Sequence, residues 1–146
     1  MAIFRTMKAI IGILAILALA ATLSYAAQER KATEGVYTTA QSDRGAQVVE
    51  DFGCRNCHGG ELEGGPEEEP PLVGQEFLTL WGGRKLDELA EKITMMPANA
   101  EPGYQVKPAS AADAVAYLLR ANGYPVGAAE LPADPKALRL IELNLP

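Results

Sequence analysis

Apolar residues recur at helical spacing in three stretches of this chain, and segments rich in Gly and Pro separate those stretches. The first stretch begins at a cap formed by Thr38 or Thr39 and ends near Phe52. The residues that share one helical face there, at positions i, i+3, i+4 and i+7, are Gly45, Val48, Val49 and Phe52. The pattern therefore predicts a helix that leads directly into the sequence CRNCH at residues 54–58.

Two further helices are predicted in the second half of the chain. The first covers about residues 85–94. Its apolar face consists of Leu86, Leu89, Ala90 and Ile93. The other begins at the capping-box-like pair Ser110 and Asp113 and ends at Asn122-Gly123. Since the chain contains no convincing strand pattern, we predict an all-α protein with three main helices.

The first 26 residues have the pattern of a secretory signal peptide. Arg5 and Lys8 precede an uncharged apolar run from Ala9 to Leu23, and Ser24-Tyr25-Ala26 resembles an A-x-A cleavage site. We expect cleavage after Ala26 and export of the remaining chain. A retained membrane anchor is the alternative, although the run is shorter than the about 20 apolar residues that a membrane span needs.

Length and composition indicate one small domain after the signal peptide. We divide it into an N-terminal extension (27–35), a main domain (36–125) and a C-terminal tail (126–146) that packs on the domain through a short helix at about 135–143. Without residues 1–26 the chain keeps 11 basic and 19 acidic residues, and this negative charge argues against nucleic-acid binding. Aromatic residues are few, so a cofactor is expected to fill the centre.

The segment CRNCHGG at residues 54–60 contains both cysteines and the only histidine of the chain. A structural zinc site needs four nitrogen or sulfur ligands, whereas the chain offers three such side chains. A redox dithiol is expected at a strand-to-helix junction, and no strand is predicted. The sequence C-x-x-C-H is instead a signature of covalent haem attachment. Cys54 and Cys57 would lie on one helical face and each form a thioether, while His58 would bind the iron.

A second axial ligand for the iron is expected from methionine, because the chain has no other histidine. Met95 and Met96 lie about forty residues downstream, where Pro97 stops the second predicted helix. Thioether ligation raises the reduction potential of c-type cytochromes. We prefer Met96 and keep Met95 as the alternative ligand; the commoner role of methionine is to fill the core.

Several motifs together resemble the class I c-type cytochromes. They are CRNCHGG, the stretch PPLVG from Pro70 to Gly74, Trp81, Met96-Pro97 and the terminal helix AYLLRANG. The chain is especially similar to bacterial monohaem cytochromes c that serve quinoprotein alcohol dehydrogenases, over roughly residues 36–131. The resemblance implies a small all-α fold of three main helices around one covalently bound haem c.

The resemblance also implies roles for residues outside the attachment motif. Pro70 would offer its carbonyl to the ring nitrogen of His58 that faces away from the iron, and such contacts orient a metal ligand. Trp81 would donate its indole N–H to a haem propionate. An ordinary loop proline and a plain core tryptophan are the alternatives. Gly45 and Tyr117 match the point where the first and last helices cross.

One departure from the family concerns the spacing before the motif. The family places its glycine eight residues before the first cysteine, whereas Gly45 lies nine before Cys54. We therefore expect an extra residue, at Gly53, to bulge the junction between the first helix and the motif.

By this resemblance the protein is a periplasmic one-electron carrier rather than an enzyme. Its donor would be a dehydrogenase, and its acceptor an oxidase or another cytochrome of a respiratory chain. The alternatives are a dedicated subunit of a dehydrogenase complex, a haem sensor whose methionine is labile, and a peroxidase. The Glu-rich loop 61–69 is read as a solvated surface loop, with a docking patch for a basic partner or a cation site as alternatives.

Overall fold

The computed structural model describes residues 28–66, 69–98 and 100–146. The predicted signal peptide therefore lies outside the described residues, as do two of the five Glu residues of the acidic loop. Within the described ranges, no helix is long and apolar enough to cross a membrane.

Helices make up about half of the described residues, so the protein is mostly helical, as the all-α prediction requires. The described residues form six α-helices: α1 (Thr39–Asp51), α2 (Cys54–His58), α3 (Gly74–Trp81), α4 (Leu86–Thr94), α5 (Pro108–Ala121) and α6 (Pro135–Leu138). A single turn of 3-10 helix covers Ala32–Glu34. Two short strands, β1 (Arg30–Lys31) and β2 (Ile141–Glu142), pair in parallel.

The helices α1, α4 and α5 are the three that the apolar pattern predicts. Helix α1 begins where Thr38 accepts a hydrogen bond on its hydroxyl oxygen from the amide of Gln41, at 3.1 Å. At the start of helix α4 the Glu88 carboxylate accepts a hydrogen bond from the amide of Lys85, which is one half of a capping box. These contacts satisfy amides that a helix start leaves without partners.

Helices α1 and α5 cross at Gly45, as the family resemblance implies. A Cβ atom at this position would overlap the carbonyl oxygen of Asp113 and lie 2.8 Å from the Cβ of Tyr117. Arg44 fastens the same crossing, because its guanidinium forms two hydrogen bonds with Asp113, at 3.0 and 3.1 Å, and ion-pairs with Glu130. The pair of helices therefore packs backbone to backbone.

The start of α5 differs from the prediction. The helix begins at Pro108, whose missing amide and fixed φ suit the first helical position. Asp113 does not cap it, because this carboxylate instead binds Arg44 on α1. A long-range ion pair thus replaces the local cap that the sequence pattern indicated.

Helix α3 and the two strands were not predicted. Helix α3 has only eight residues and buries just Phe77 and Trp81, which is too short an apolar pattern to recognise. Gly74 begins it with a φ of 81°, and Asn122 accepts a hydrogen bond from the Gly74 amide at 2.9 Å. Each strand is two residues long, so no alternation of apolar and polar residues can reveal it.

The C-terminal segment contributes to the same core as the helices. Its buried side chains are Leu131, Leu138, Ile141 and Leu143, whereas Leu145 is 61% exposed. The predicted tail helix is shorter than expected, since α6 ends at Leu138 and β2 follows. Backbone hydrogen bonds join Leu143 to Gly83 and Arg84 at 2.9 and 2.8 Å, so the tail closes over the turn between α3 and α4.

Candidate functional site

The CRNCH segment forms a separate short helix, α2, behind a sharp break in the chain. Helix α1 ends at Asp51, and Gly53 adopts the left-handed conformation with φ 62° and ψ 33°. The extra residue expected before Cys54 is thus accommodated by a turn at Phe52-Gly53. The break lets α2 leave the direction of α1.

The two cysteines are free thiols at positions i and i+3 of this helix. Cys54 packs partly against the core, and burial raises the pKa of its thiol. Cys57 is exposed. Because residues three apart lie on one side of a helix, both sulfur atoms face the same region.

His58 contacts the carbonyl oxygen of Pro70 through its ring nitrogen Nδ1, at 2.8 Å. A carbonyl oxygen can only accept a hydrogen bond, so Nδ1 is the donor. In the neutral ring, Nε2 then carries the lone pair, and within the described residues it has no hydrogen-bond partner. The structure therefore brings together the two residues that the family resemblance pairs, in the geometry of an oriented metal ligand.

The loop between His58 and Pro70 is folded onto α2. The amide of Gly64 donates to the carbonyl of His58 at 2.8 Å, and the amide of Leu72 donates to the carbonyl of Leu62 at 2.8 Å. Leu62 is almost fully buried, with a φ of 64°. An apolar anchor in the core thus fixes the loop that presents the Pro70 carbonyl.

The two methionines follow α4 but differ in exposure. Met95 is the C-cap of the helix and is 52% exposed, whereas Met96 is half-buried. The Met96 carbonyl accepts a hydrogen bond from the amide of Val106 at 3.0 Å, which closes the loop between them. Within that loop the Tyr104 ring lies 5.6 Å from the ring of Phe52, two residues before Cys54. The methionine loop therefore packs beside the junction that leads into α2.

Trp81 is buried at the end of α3. The guanidinium of Arg84 lies 4.5 Å from the centre of its ring, and the Phe77 ring lies 6.4 Å away. Within the described part of the chain the indole N–H makes no hydrogen bond, so this donor is available to another group.

One residue of the site that the sequence did not reveal is Arg55, between the two cysteines. Its guanidinium donates hydrogen bonds to Glu50, to the carbonyl of Gly60 and to the hydroxyl of Tyr117. The hydrogen bond with Glu50 is the main cause of its raised pKa. No local spacing links Arg55 to Tyr117, because their contact depends on how α2 packs against α5.

Two cavities of the described structure lie elsewhere. One of about 570 Å³ is lined by α3 and the chain end, including Leu78, Thr79 and Leu145. The other, of about 350 Å³, lies between α4, α5 and α6. Among the described residues, no cluster of three or more His, Cys, Asp and Glu side chains could hold a metal ion.

Comparison of the chain with protein-family models, with curated proteins and with solved structures gives no match. The function must therefore be inferred from the residues of the chain and their geometry.

Proposed function

We propose that this protein is a monohaem c-type cytochrome that carries single electrons and has no enzymatic activity of its own. The observation that carries the proposal is the hydrogen bond from His58 Nδ1 to the Pro70 carbonyl. It fixes the ring, and in the neutral imidazole it leaves the lone pair on Nε2, the atom that would bind iron. Two free thiols on the same helix would provide the sites for covalent attachment of haem.

The cysteines would hold the cofactor permanently. The thiols of Cys54 and Cys57 would each add across a vinyl group, so that a sulfur–carbon bond forms and the proton goes to the neighbouring carbon. This addition needs no oxidant, and it suits two thiols three residues apart on one helix. The porphyrin would also supply the apolar body that the few aromatic side chains of the chain do not.

The remaining roles belong to residues around the helix. His58 would be the proximal ligand and Met96 the distal one, with Met95 as the alternative; the half-buried position of Met96 favours it over its exposed neighbour. Trp81, whose indole N–H is available, would donate to a propionate. When bound, haem c supplies a ferric–ferrous couple, and a thioether ligand raises its potential.

The setting we propose is the periplasm, because the first 26 residues have the pattern of a signal peptide. A periplasmic dehydrogenase would donate electrons, and an oxidase or another cytochrome would accept them. A membrane contact would arise only if the N-terminal segment is retained as an anchor. Contact with these partners would be brief and small in area, as in other electron-transfer encounters.

The test is to produce the full chain with its signal and a haem-maturation system, then to measure covalent haem by mass and by absorption after denaturation. We expect one haem per chain in the wild type and none in the control Cys54→Ser/Cys57→Ser. Absence of covalent haem from the wild type would refute the proposal.

A second measurement separates an electron carrier from a sensor or a peroxidase. The reduced protein is exposed to carbon monoxide, and its visible spectrum is recorded before and after. We expect an unchanged spectrum, since both axial positions would be filled by protein. A rapid shift would mean that the sixth position is open, and the electron-carrier proposal would fall in favour of ligand sensing or catalysis.

A further inference from the structure

Arg55 connects the CRNCH helix to three other parts of the protein. Its Nε atom lies 2.9 Å from the Glu50 carboxylate at the end of α1, and its Nη2 atom lies 2.8 Å from the Tyr117 hydroxyl on α5. Its Nη1 atom donates to the carbonyl of Gly60, just after α2. One side chain thus contacts the helix before α2, the loop after it and the last long helix.

Helix α2 needs such contacts because it has little else to hold it. It is five residues long and contains no fully buried residue. An isolated helix of this length is unstable in water, since nucleation is costly and few hydrogen bonds follow. Cys54 rests on the core, and His58 is bonded to Pro70 in the following loop. Among the side chains of α2, only Arg55 forms a hydrogen bond with α5 in the described structure.

Tyr117 makes this contact significant for the whole fold. Its Cβ lies where α1 and α5 cross, against the position that only Gly45 can occupy. The ring is packed against the core and ends in the hydroxyl that Arg55 binds. The hydrogen bond between Arg55 and Tyr117 therefore links α2 directly to the close crossing of α1 and α5.

We propose that Arg55 is a positioning residue that clamps the CRNCH helix to the crossing of α1 and α5, and thereby orients the two thiols and His58 toward the cofactor. The part of this inference that concerns the cofactor rests on the proposed function. The clamp itself is a property of the polypeptide and does not depend on the proposed function.

The chemistry of the guanidinium explains why arginine occupies this position. Its planar fork presents five donors in fixed directions, so it can reach three acceptors at once. A lysine ammonium is a point charge on a flexible stem and cannot reproduce this pattern. The proposal therefore predicts that Arg55→Lys, which keeps the charge, fails to preserve the clamp.

The experiment compares Arg55→Lys, Arg55→Ala and Tyr117→Phe with Arg120→Lys and Arg120→Ala in the full-length chain. Arg120 is the control, because it joins α5 to Asp43 on α1 and lies over the Tyr117 ring, as a neighbour of the clamp, but forms no hydrogen bond with α2. Amide hydrogen exchange is followed by mass spectrometry across residues 53–64. We expect exchange there to be about tenfold faster in both Arg55 variants, as loss of charge-assisted hydrogen bonds implies, with a smaller increase in Tyr117→Phe.

Orientation toward the cofactor is read separately, by circular dichroism of the haem absorption band in the loaded proteins. We expect Arg55→Lys to alter the shape of this band at unchanged haem content, and Arg120→Lys to leave it as in the wild type. Tyr117→Phe removes only the hydroxyl that Arg55 binds. If the Arg55 variants fold poorly, this variant is compared with the wild type instead.

The outcomes keep the two proposals apart. If the Arg55 variants match the Arg120 variants in exchange and in circular dichroism, the clamp is refuted while haem attachment stands. If the wild type carries no covalent haem, the proposed function fails, and the exchange rates still decide whether the clamp exists. Restoration of slow exchange by Arg55→Lys would also overturn the inference, because charge alone would then suffice.

Discussion

The crossing of α1 and α5 and the segment 53–72 are held together in opposite ways. The crossing is built from buried side chains, and α5 alone buries seven of its residues. In segment 53–72, the site segment, α2 by contrast buries none, and Leu62 is the one fully buried side chain among the described residues. Hydrogen bonds from Arg55, His58 and the loop amides maintain the shape of this segment.

This difference places most of the stabilising contacts outside the candidate site. Burial of apolar surface is the dominant stabilising term, and α5 and α4 supply much of it to the helical frame, which consists of α1, α4 and α5. The site segment carries two free thiols and the histidine on a helix without buried residues. Under the proposed function, a covalently bound porphyrin would supply the buried apolar contacts that this segment lacks.

The largest effect is expected from a single methyl group in the frame. Gly45→Ala places a Cβ atom against the backbone of α5, which cannot move without separating the two helices. We expect a loss of about 3 kcal/mol in the free energy of unfolding, typical of severe overpacking. Urea unfolding followed by circular dichroism measures it. Gly60→Ala is the control in the other region, because a Cβ there meets no atom within 4 Å.

A second prediction tests the site segment through the proposed distal ligand, Met96. Under the proposed function, Met96→Ala would leave the sixth position of the iron open, so that the reduced protein binds carbon monoxide and its reduction potential falls. Met95→Ala should leave both properties close to the wild type, since Met95 is exposed at the helix end. If the two variants exchange behaviours, Met95 is the ligand. Neither variant should lower the free energy of unfolding as much as Gly45→Ala.

The sequence predicts the frame well because its signals are local. Helices α1, α4 and α5 each repeat an apolar face over several turns, and Gly45 and Tyr117 follow from the family pattern. The same resemblance predicts the contact of His58 with Pro70, which the structure contains. The sequence did not reveal Arg55, whose contact with α5 joins residues 62 positions apart. Such contacts depend on packing, and no spacing along the chain reports them.

A third prediction concerns the tail. Asp87 is buried at the start of α4, with Oδ2 bound to Arg139 at 2.7 Å and Oδ1 without a partner among the described residues. Arg139→Ala would leave both carboxylate oxygens unpaired in a buried position, which is destabilising. We expect a lower urea midpoint, and recovery of most of the loss in Arg139→Ala/Asp87→Leu. An unchanged midpoint in the single variant would show that the tail does not depend on this ion pair.

The smallest effect on the free energy of unfolding is expected at high pH, from Tyr124, which follows α5. Its hydroxyl donates to the carbonyl of Asn144 at 2.7 Å, and burial raises its pKa to about 12. The unfolded chain releases this proton near pH 10, so between about pH 10 and 12 the native state binds more protons. Stability should therefore fall as pH rises through this window, by at most about 1.4 kcal/mol per pH unit for one such group.

Urea unfolding at about pH 8 and about pH 11 would measure this fall, with Tyr124→Phe and Tyr104→Phe compared. Tyr124→Phe removes the titrating group, so its unfolding free energy should depend less steeply on pH than that of the wild type. Tyr104 is 55% exposed beside Phe52, and its replacement should leave the pH dependence as it is. Equal slopes in all three proteins would mean that Tyr124 does not cause the alkaline sensitivity, which would then arise from another group whose pKa burial raises, Tyr37 in the core or Cys54 in segment 53–72.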